Sequence, residues 1–353
     1  MVAVDGLLAP DLVVSVQTRP AAPPARCADA PRINRPELVA LAVAGQVANP
    51  LVRRTAYRTG RDGILRVVPG TGGIALNKRV GDRATGLAAD HVEPGVALRN
   101  NDRDSSGARD AAHRGLLLYA CVGNVARVVN GPVAGARGTV TGKHGGINNV
   151  LVDFPTAVLR RLRIGDRVQI TALGQGMRFP DFPDVRVMNL SPRLIARWGV
   201  RAHGPHLDVP VTHIVPAGLM GSGLGRPDSV TGDVDIQLSD TVLRRRHRLQ
   251  SLRFGDFVAI CPLDARFGPS RRDDMITVGI VVHSDSHVAG HGPGVTPLLI
   301  ASRARLRPIY SPTANIAAAL GLRRRLAPSP TPAAGELRTI WRLRPARRLA
   351  RTV

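Results

Sequence analysis

Leu162-Arg163-Ile164-Gly165-Asp166-Arg167-Val168-Gln169-Ile170 decides the fold, because its texture returns later in the chain as Leu252-Arg253-Phe254-Gly255-Asp256-Phe257-Val258-Ala259-Ile260. In each stretch Gly-Asp makes a turn, and the alternation that follows makes a strand with one buried face. Two such units predict a mainly β (β-rich α+β) fold: two packed small β-barrel or sandwich units with a few short helices. Around them, between residues 60 and 310, short Val/Ile/Leu runs are broken about every eight to twelve residues by Gly, Asp or Pro, the rhythm of small antiparallel sheets.

Gly131-Pro132-Val133-Ala134-Gly135-Ala136-Arg137-Gly138-Thr139-Val140 adds to this. Its glycine spacing resembles the KOW motif of ribosomal and transcription-factor barrels, which implies an SH3-like stretch within the barrel. Three helices are expected. Pro36 opens one through Val47 with Asn34 as cap, Ser191-Pro192 starts one over Leu194, Ile195 and Trp198, and Ser311-Pro312 starts one through Leu320. The domain reading is a flexible N-terminal arm (1–35), an N-terminal β-rich domain (36–200), a C-terminal β-rich domain (201–322) and a disordered basic tail (323–353).

The chain has 353 residues and a formal net charge of +23. Lys78 and Lys143 are its two lysines, and the other 47 of 49 basic residues are arginines, the mark of a GC-rich coding sequence. Aromatics are 3%, leaving few platforms for stacking nucleobases. Residues 322–353 carry nine Arg against one Glu, so nucleic acid is a candidate partner through the tail. No run approaches the ~20 apolar residues that cross a bilayer, and Asp5 sits where a secretory signal would carry positive charge. Cytoplasm without membrane contact is the expectation. Cys27, Cys121 and Cys261 lie far apart, which argues against a disulfide framework and for small buried hydrophobes.

Four clusters could carry chemistry. In Val278–Gly294, a strand over 278–288 would place His283, Asp285 and His287 on one face, able to hold a divalent metal (Zn, Mn or Fe), with His291 arriving from the Gly-rich turn. Proton transfer by His283, Asp285 and His291 is the metal-free alternative. Gly142-Lys143-His144-Gly145-Gly146 offers Lys143, an ammonium whose pKa burial can lower, and His144. Asp90-His91-Val92-Glu93 alternates two carboxylates with an imidazole. Gly221-Ser222-Gly223 precedes Asp233 and Asp235, a loop whose amides could line a ligand pocket.

Together these stretches resemble a bacterial and archaeal family known as domain of unknown function (DUF) 4438. The residues that carry the resemblance are Asp90–Gly95, Cys121-Val122-Gly123-Asn124, Gly142–Gly146, Val187-Met188-Asn189-Leu190 and Met220–Gly225, then Asp233–Gln237, Leu252–Ile260, His283–Val295 and Ala314–Ala317. They span residues 60–322 and imply one coherent folded unit without a known mechanism. His283, Asp285 and His291 fall in the pattern more firmly than His287.

The leading functional reading is a hydrolase- or lyase-like enzyme on a small polar metabolite, metal-assisted. One alternative is an RNA- or ribosome-associated binding module with a KOW-like barrel; another is a non-catalytic small-molecule or metal-binding protein. Candidate partners are a small-molecule ligand, nucleic acid at the tail, and a second copy of the chain.

Overall fold

The computed structural model describes residues 30–52, 56–102, 110–326 and 328–330. In both Gly-Asp turns the glycine takes a left-handed φ, 89° at Gly165 and 80° at Gly255, where a Cβ would be strained. The aspartate then folds back: Asp166 Oδ2 accepts from the Arg163 amide at 2.8 Å, and Asp256 Oδ2 from the Arg253 amide at 2.9 Å. A third copy of this turn lies at Arg79-Val80-Gly81-Asp82, with Gly81 at φ 92° and Asp82 Oδ2 accepting from the Arg79 amide at 2.8 Å. The first and last copies pair with each other. The Gly81 amide donates to the Phe254 carbonyl at 2.7 Å, and the Phe254 amide to the Asp82 carbonyl at 2.9 Å.

Six strands close into an antiparallel barrel: β1 (Leu41–Val47), β2 (Gly95–Arg99), β3 (Val125–Val128), β4 (Arg137–His144), β5 (Asn149–Asp153) and β6 (Arg167–Ala172). The order is β1-β6-β3-β4-β5-β2, and Gln46 and Val47 meet Arg99 and Leu98 to shut it. β6 alternates as its sequence predicts, with Val168, Ile170 and Ala172 buried and Arg167, Gln169 and Thr171 exposed. The KOW-like stretch forms the turn between β3 and β4 and the start of β4. The helix expected from Pro36 is corrected: a 3₁₀ turn at Arg35–Glu37 leads into strand β1. Its run of small apolar residues suits either period, and pairing with β6 along six residues, then with β2, selects the strand.

The second unit holds β7 (His213–Pro216), β8 (Val234–Asp235), β9 (Phe257–Cys261), β10 (Met275–Val281) and β11 (Gly294–Ser302). β11, β10, β9 and β7 are neighbours in that order, β7 runs parallel to β9, and β8 pairs with β11. All five residues of β9 are buried, because its faces feed two cores. Phe257, Ala259 and Cys261 join the larger core, where Trp198 stacks on Phe257 at 4.1 Å, and Val258 and Ile260 join another. The larger core also takes Ala97 and Leu151 of the barrel, so the units share packed interior. Cys121 and Cys261 are free and buried as expected; Cys27 lies outside the described residues.

Five short α-helices are present among the described residues. Ser191 caps Pro192–Trp198 as read, its Oγ accepting from the Leu194 amide at 3.2 Å. The helix expected at Ser311 begins later, at Ile316–Ala319, capped by Asn315. Asn315 is fixed there because its amide also donates to the Phe254 carbonyl and to Asp256, in the last Gly-Asp turn. The chain stays packed past Leu322, into the first residues of the segment expected as a tail. Arg323 pairs with Asp82, the Ser329 amide donates to the Pro312 carbonyl at 3.0 Å, and the Tyr310 hydroxyl to the Pro330 carbonyl at 3.0 Å. Composition does not reveal such individual partners. Arg32, in the segment expected as a flexible arm, likewise forks onto Asp181 at 2.6 and 2.9 Å. Residues 1–29 and 331–353 lie outside the described residues. Among those described, no helix is long and apolar enough to cross a membrane.

Candidate metal centre

The end of β4 meets the second unit where Gly142 lies against Val282, and the Thr296 hydroxyl donates to the Lys143 carbonyl at 2.8 Å. Next to this seam β4 delivers His144. A ladder of backbone bonds brings in the loop before β2: Ser284 N–H donates to the Val92 carbonyl at 3.0 Å, and His91 N–H to the Asp285 carbonyl at 3.3 Å. His91 therefore faces His283, and it does so with a left-handed φ of 57°, uncommon for a non-glycine residue. Strand β8 and the residue before it present Asp233 and Asp235 on one face by simple alternation, while Val234 enters the core behind. His291 arrives from the turn between β10 and β11. The rings gather closely, with centroids 4.2 Å apart for His144–His283, 5.0 Å for His91–His283 and 4.9 Å for His91–His291.

Four of the six ligand candidates, His144, His91, His283 and Asp233, have one atom anchored from behind. His144 Nδ1 meets Glu93 Oε1 at 2.7 Å, and Glu93 is itself held by the Gly72 amide and Asn149. His91 Nδ1 meets Asp90 Oδ1 at 2.8 Å, and Asp90 also takes Arg58. His283 Nδ1 lies 2.9 Å from the Ser284 carbonyl, which only accepts, so Nδ1 carries a hydrogen. Asp233 Oδ1 accepts from the Gly145 amide at 2.7 Å. These are the outer partners that fix metal-ligating histidines and carboxylates.

The ligand atoms form two groups, His144–Asp233–His283 and His91–Asp235–His291, each within 4.8 Å of one another, and in the second His91 Nε2 and His291 Nδ1 already meet at 3.1 Å. Asp235 faces both. Its Oδ1 is 3.4 Å from His283 Nε2, and its Oδ2 is 3.0 Å from His291 Nδ1 and 3.7 Å from His91 Nε2. Ligands at ~2.0–2.1 Å around a tetrahedral ion stand about 3.3 Å apart, and these separations scatter around that value. The decisive pair is His283 Nε2 and Asp233 Oδ2. Both are buried and 2.9 Å apart, yet neither finds a hydrogen bond. Burial drives the His283 pKa down, but Asp233 and Asp235 overcome it and hold it well above the usual histidine range. Asp235 is held well below the carboxylate range, because contacts with His283, His291 and His91 outweigh the burial that pushes it up.

The models of this fold's two halves match the chain as the N-terminal and C-terminal parts of a domain of unknown function, DUF4438, over residues 57–196 and 197–320. The chain belongs to the DUF4438 family. A solved structure titled "Crystal structure of TM1086" is 39% identical, with a TM-score of 0.75 over 81% of this chain and 98% of that one. No curated protein matches the chain.

In this DUF4438 protein, His91, His144, His283, His291, Asp233 and Asp235 come together, and Asp90 and Glu93 stand behind two of the imidazoles. Ser222 and Gly223 line the adjoining cavity, and Gly221 packs against the Gly290 carbonyl. Asp285 and His287, expected with His283 as a metal set, join neither group. Strand β10 stops at Val281, so period-two alternation does not carry on to 287. Asp285 instead accepts from the Gly86 amide at 2.9 Å, and the His287 carbonyl takes the Arg61 amide. Lys143, expected as catalytic, is fully buried on another course: its Nζ donates to Asn189 Oδ1 at 2.6 Å and the Val230 carbonyl at 3.0 Å. Burial pushes its pKa down to about 8. It braces Asn189, another left-handed residue at φ 52°. Gly294 was not singled out by sequence reading. A Cβ there would overlap both Asp233 Oδ2 and His283 Nε2. In a third group, His203–His206–Asp208, His203 is exposed and the other two half-buried, and Arg307 already forks onto Asp208.

Proposed function

We propose that this protein is a metal-dependent hydrolase of small polar metabolites, working through a pair of cation sites that share Asp235. The observation that carries the reading is the buried His283 Nε2 and Asp233 Oδ2, 2.9 Å apart and without hydrogen bonds, each ligand pinned from behind. Imidazole and carboxylate donors suit Zn, Mn or Fe. His144, His283, Asp233 and one oxygen of Asp235 make one ligand set; His91, His291 and the other oxygen make the second. The second set is a ligand short of the first and lines the cavity, the arrangement of a catalytic site that keeps a position for water. A divalent cation there supplies Lewis acidity and a bound water with a pKa near 7. Asp90 and Glu93 keep the ligand imidazoles in one tautomer and orientation.

Elemental analysis of purified protein, then chelation and reloading while hydrolysis of a panel of small amides and esters is followed, tests this. The expected result is up to two Zn, Mn or Fe per chain and activity that leaves with the metal and returns with it. Protein that takes up no divalent metal, with no metal-induced rise in melting temperature, overturns the reading.

A further inference from the structure

The cavity beside the six ligand candidates has a volume of about 270 Å³. That is at or below the small end of ligand pockets. Its lining contains no Phe, Tyr or Trp, and its rings are the imidazoles of His91, His144 and His291, all of them in the ligand set. Opposite in character to the acidic ligand wall are Arg226 and Thr71.

Two arginines line this cavity, and they differ. Arg58 is committed to Asp90 at 2.8 Å. Arg226 is half-buried, and among the described residues its guanidinium has no hydrogen-bonded or ion-paired carboxylate. The acid that feels its charge, Asp228, uses Oδ1 on the amides of Val230 and Thr231 and on the Thr231 hydroxyl. Room for the guanidinium is made by Gly145 and Gly232, where a Cβ would collide with it. Thr71 supplies the independent sign. It is 4% exposed, lines the same cavity, and its hydroxyl finds no partner. The loop that carries it is fixed, since the Leu51 amide donates to the Thr71 carbonyl and the next amide, Gly72, donates to Glu93. A half-buried guanidinium without an ion-paired carboxylate and a buried hydroxyl without a partner both await an acceptor.

We propose that the substrate is a small anion whose oxyanion group, carboxylate or phosphate, is bound by Arg226 and the Thr71 hydroxyl, beside the metal centre. This rests on the hydrolase reading for its chemistry but not for its binding. The planar guanidinium fork suits either oxyanion, and the cavity size suits a small molecule.

Calorimetric titration of inorganic phosphate and of succinate into Mn-loaded wild type, Arg226→Gln, Arg226→Lys and Thr71→Val tests it. One anion binds wild type, and which one distinguishes phosphate from carboxylate. Arg226→Gln weakens it by about tenfold or more, as loss of a charged hydrogen-bond donor should, Arg226→Lys and Thr71→Val weaken it less, and metal content is unchanged. Failure of both anions to bind wild type, or equal binding by wild type and Arg226→Gln, overturns the proposal. Repeating the titration after chelation separates the two readings: Arg226-dependent binding in protein that takes up no metal keeps the anion site and discards the metal centre.

Discussion

His283 Nε2 faces Asp233 Oδ2 at 2.9 Å across a gap that no hydrogen bond spans. The Ser284 carbonyl fixes the hydrogen on the far side of the ring, and the Gly145 amide fixes the other carboxylate oxygen. His283→Ala and Asp233→Asn are each expected to lower metal affinity more than about 100-fold, beyond the usual effect of an outer partner. Asp285→Asn and His287→Ala should bind metal as wild type does. Competition against a chromophoric chelator reads all four, and equal affinities across the set would remove the assignment.

Glu93 does not itself line the cavity but holds His144 Nδ1 at 2.7 Å. Burial pushes its pKa up, and the contacts with His144, the Gly72 amide and Asn149 more than reverse this. Glu93→Gln keeps the shape and loses the charge, so metal affinity should fall roughly 10–100-fold while the ligands remain in place. Unchanged affinity in the same chelator assay would show that Glu93 is only structural.

Gly294→Ala tests the space itself. The new Cβ would lie on Asp233 Oδ2 and His283 Nε2, and Gly294 is not among the glycines with positive φ, so the backbone accepts alanine. The variant should fold and lose metal uptake although every ligand is intact. Full metal loading, measured by elemental analysis, would place the cation elsewhere.

His213 gives a pH signature separate from the centre. Burial, with Arg248 and Arg253 nearby, pushes its pKa down to about 3, and it is neutral between the hydroxyls of Thr212 and Ser251 at 2.9 and 3.0 Å. The folded value lies below the unfolded one of 6.5, so the unfolded state takes up the proton first as pH falls. Stability from this group is complete above pH ~6.5 and declines toward pH ~3, by about 3 kcal/mol at pH 4 as an upper estimate. Urea titrations should show the advantage of wild type over His213→Asn shrinking as the solution is acidified. An advantage that grows would reverse the sign of the argument.

Truncation after Leu322 removes the Arg323–Asp82 pair and the Tyr310–Pro330 bond. Thermal melting should fall by several degrees, in line with a loss of about 1–2 kcal/mol. Truncation after Pro330 keeps these contacts and should melt higher than the shorter chain. Identical melts for the two would mean the docked segment adds nothing.

Much of this was readable before any coordinates. The alternation after Gly165-Asp166 is the alternation of β6, and Asp233-Val234-Asp235 states its shared face outright. The Gly-Asp turn at Arg79–Asp82 is equally visible in the sequence, although no strand follows it directly. What the sequence misled on was continuity. Val278–Val288 reads as one strand, yet at Ser284 the backbone leaves its β11 neighbour and pairs with Val92 from the other half of the chain. No local pattern announces that exchange, and it decides that His283 enters the centre while Asp285 and His287 do not. Arg226 and Thr71 stand out only by lacking partners, a property that exists in three dimensions alone.

The ligand set is divided across the seam. His91 and His144 come from the barrel half, and Asp233, Asp235, His283 and His291 from the other. On the proposed reading, a cation bound there rivets two halves of one polypeptide, and binding energy becomes folding energy. The amount of this protein in a cell would then follow metal supply through turnover: starved of its cation, the seam opens more often, and proteases, rather than a loss of catalysis, would be the first to register the shortage.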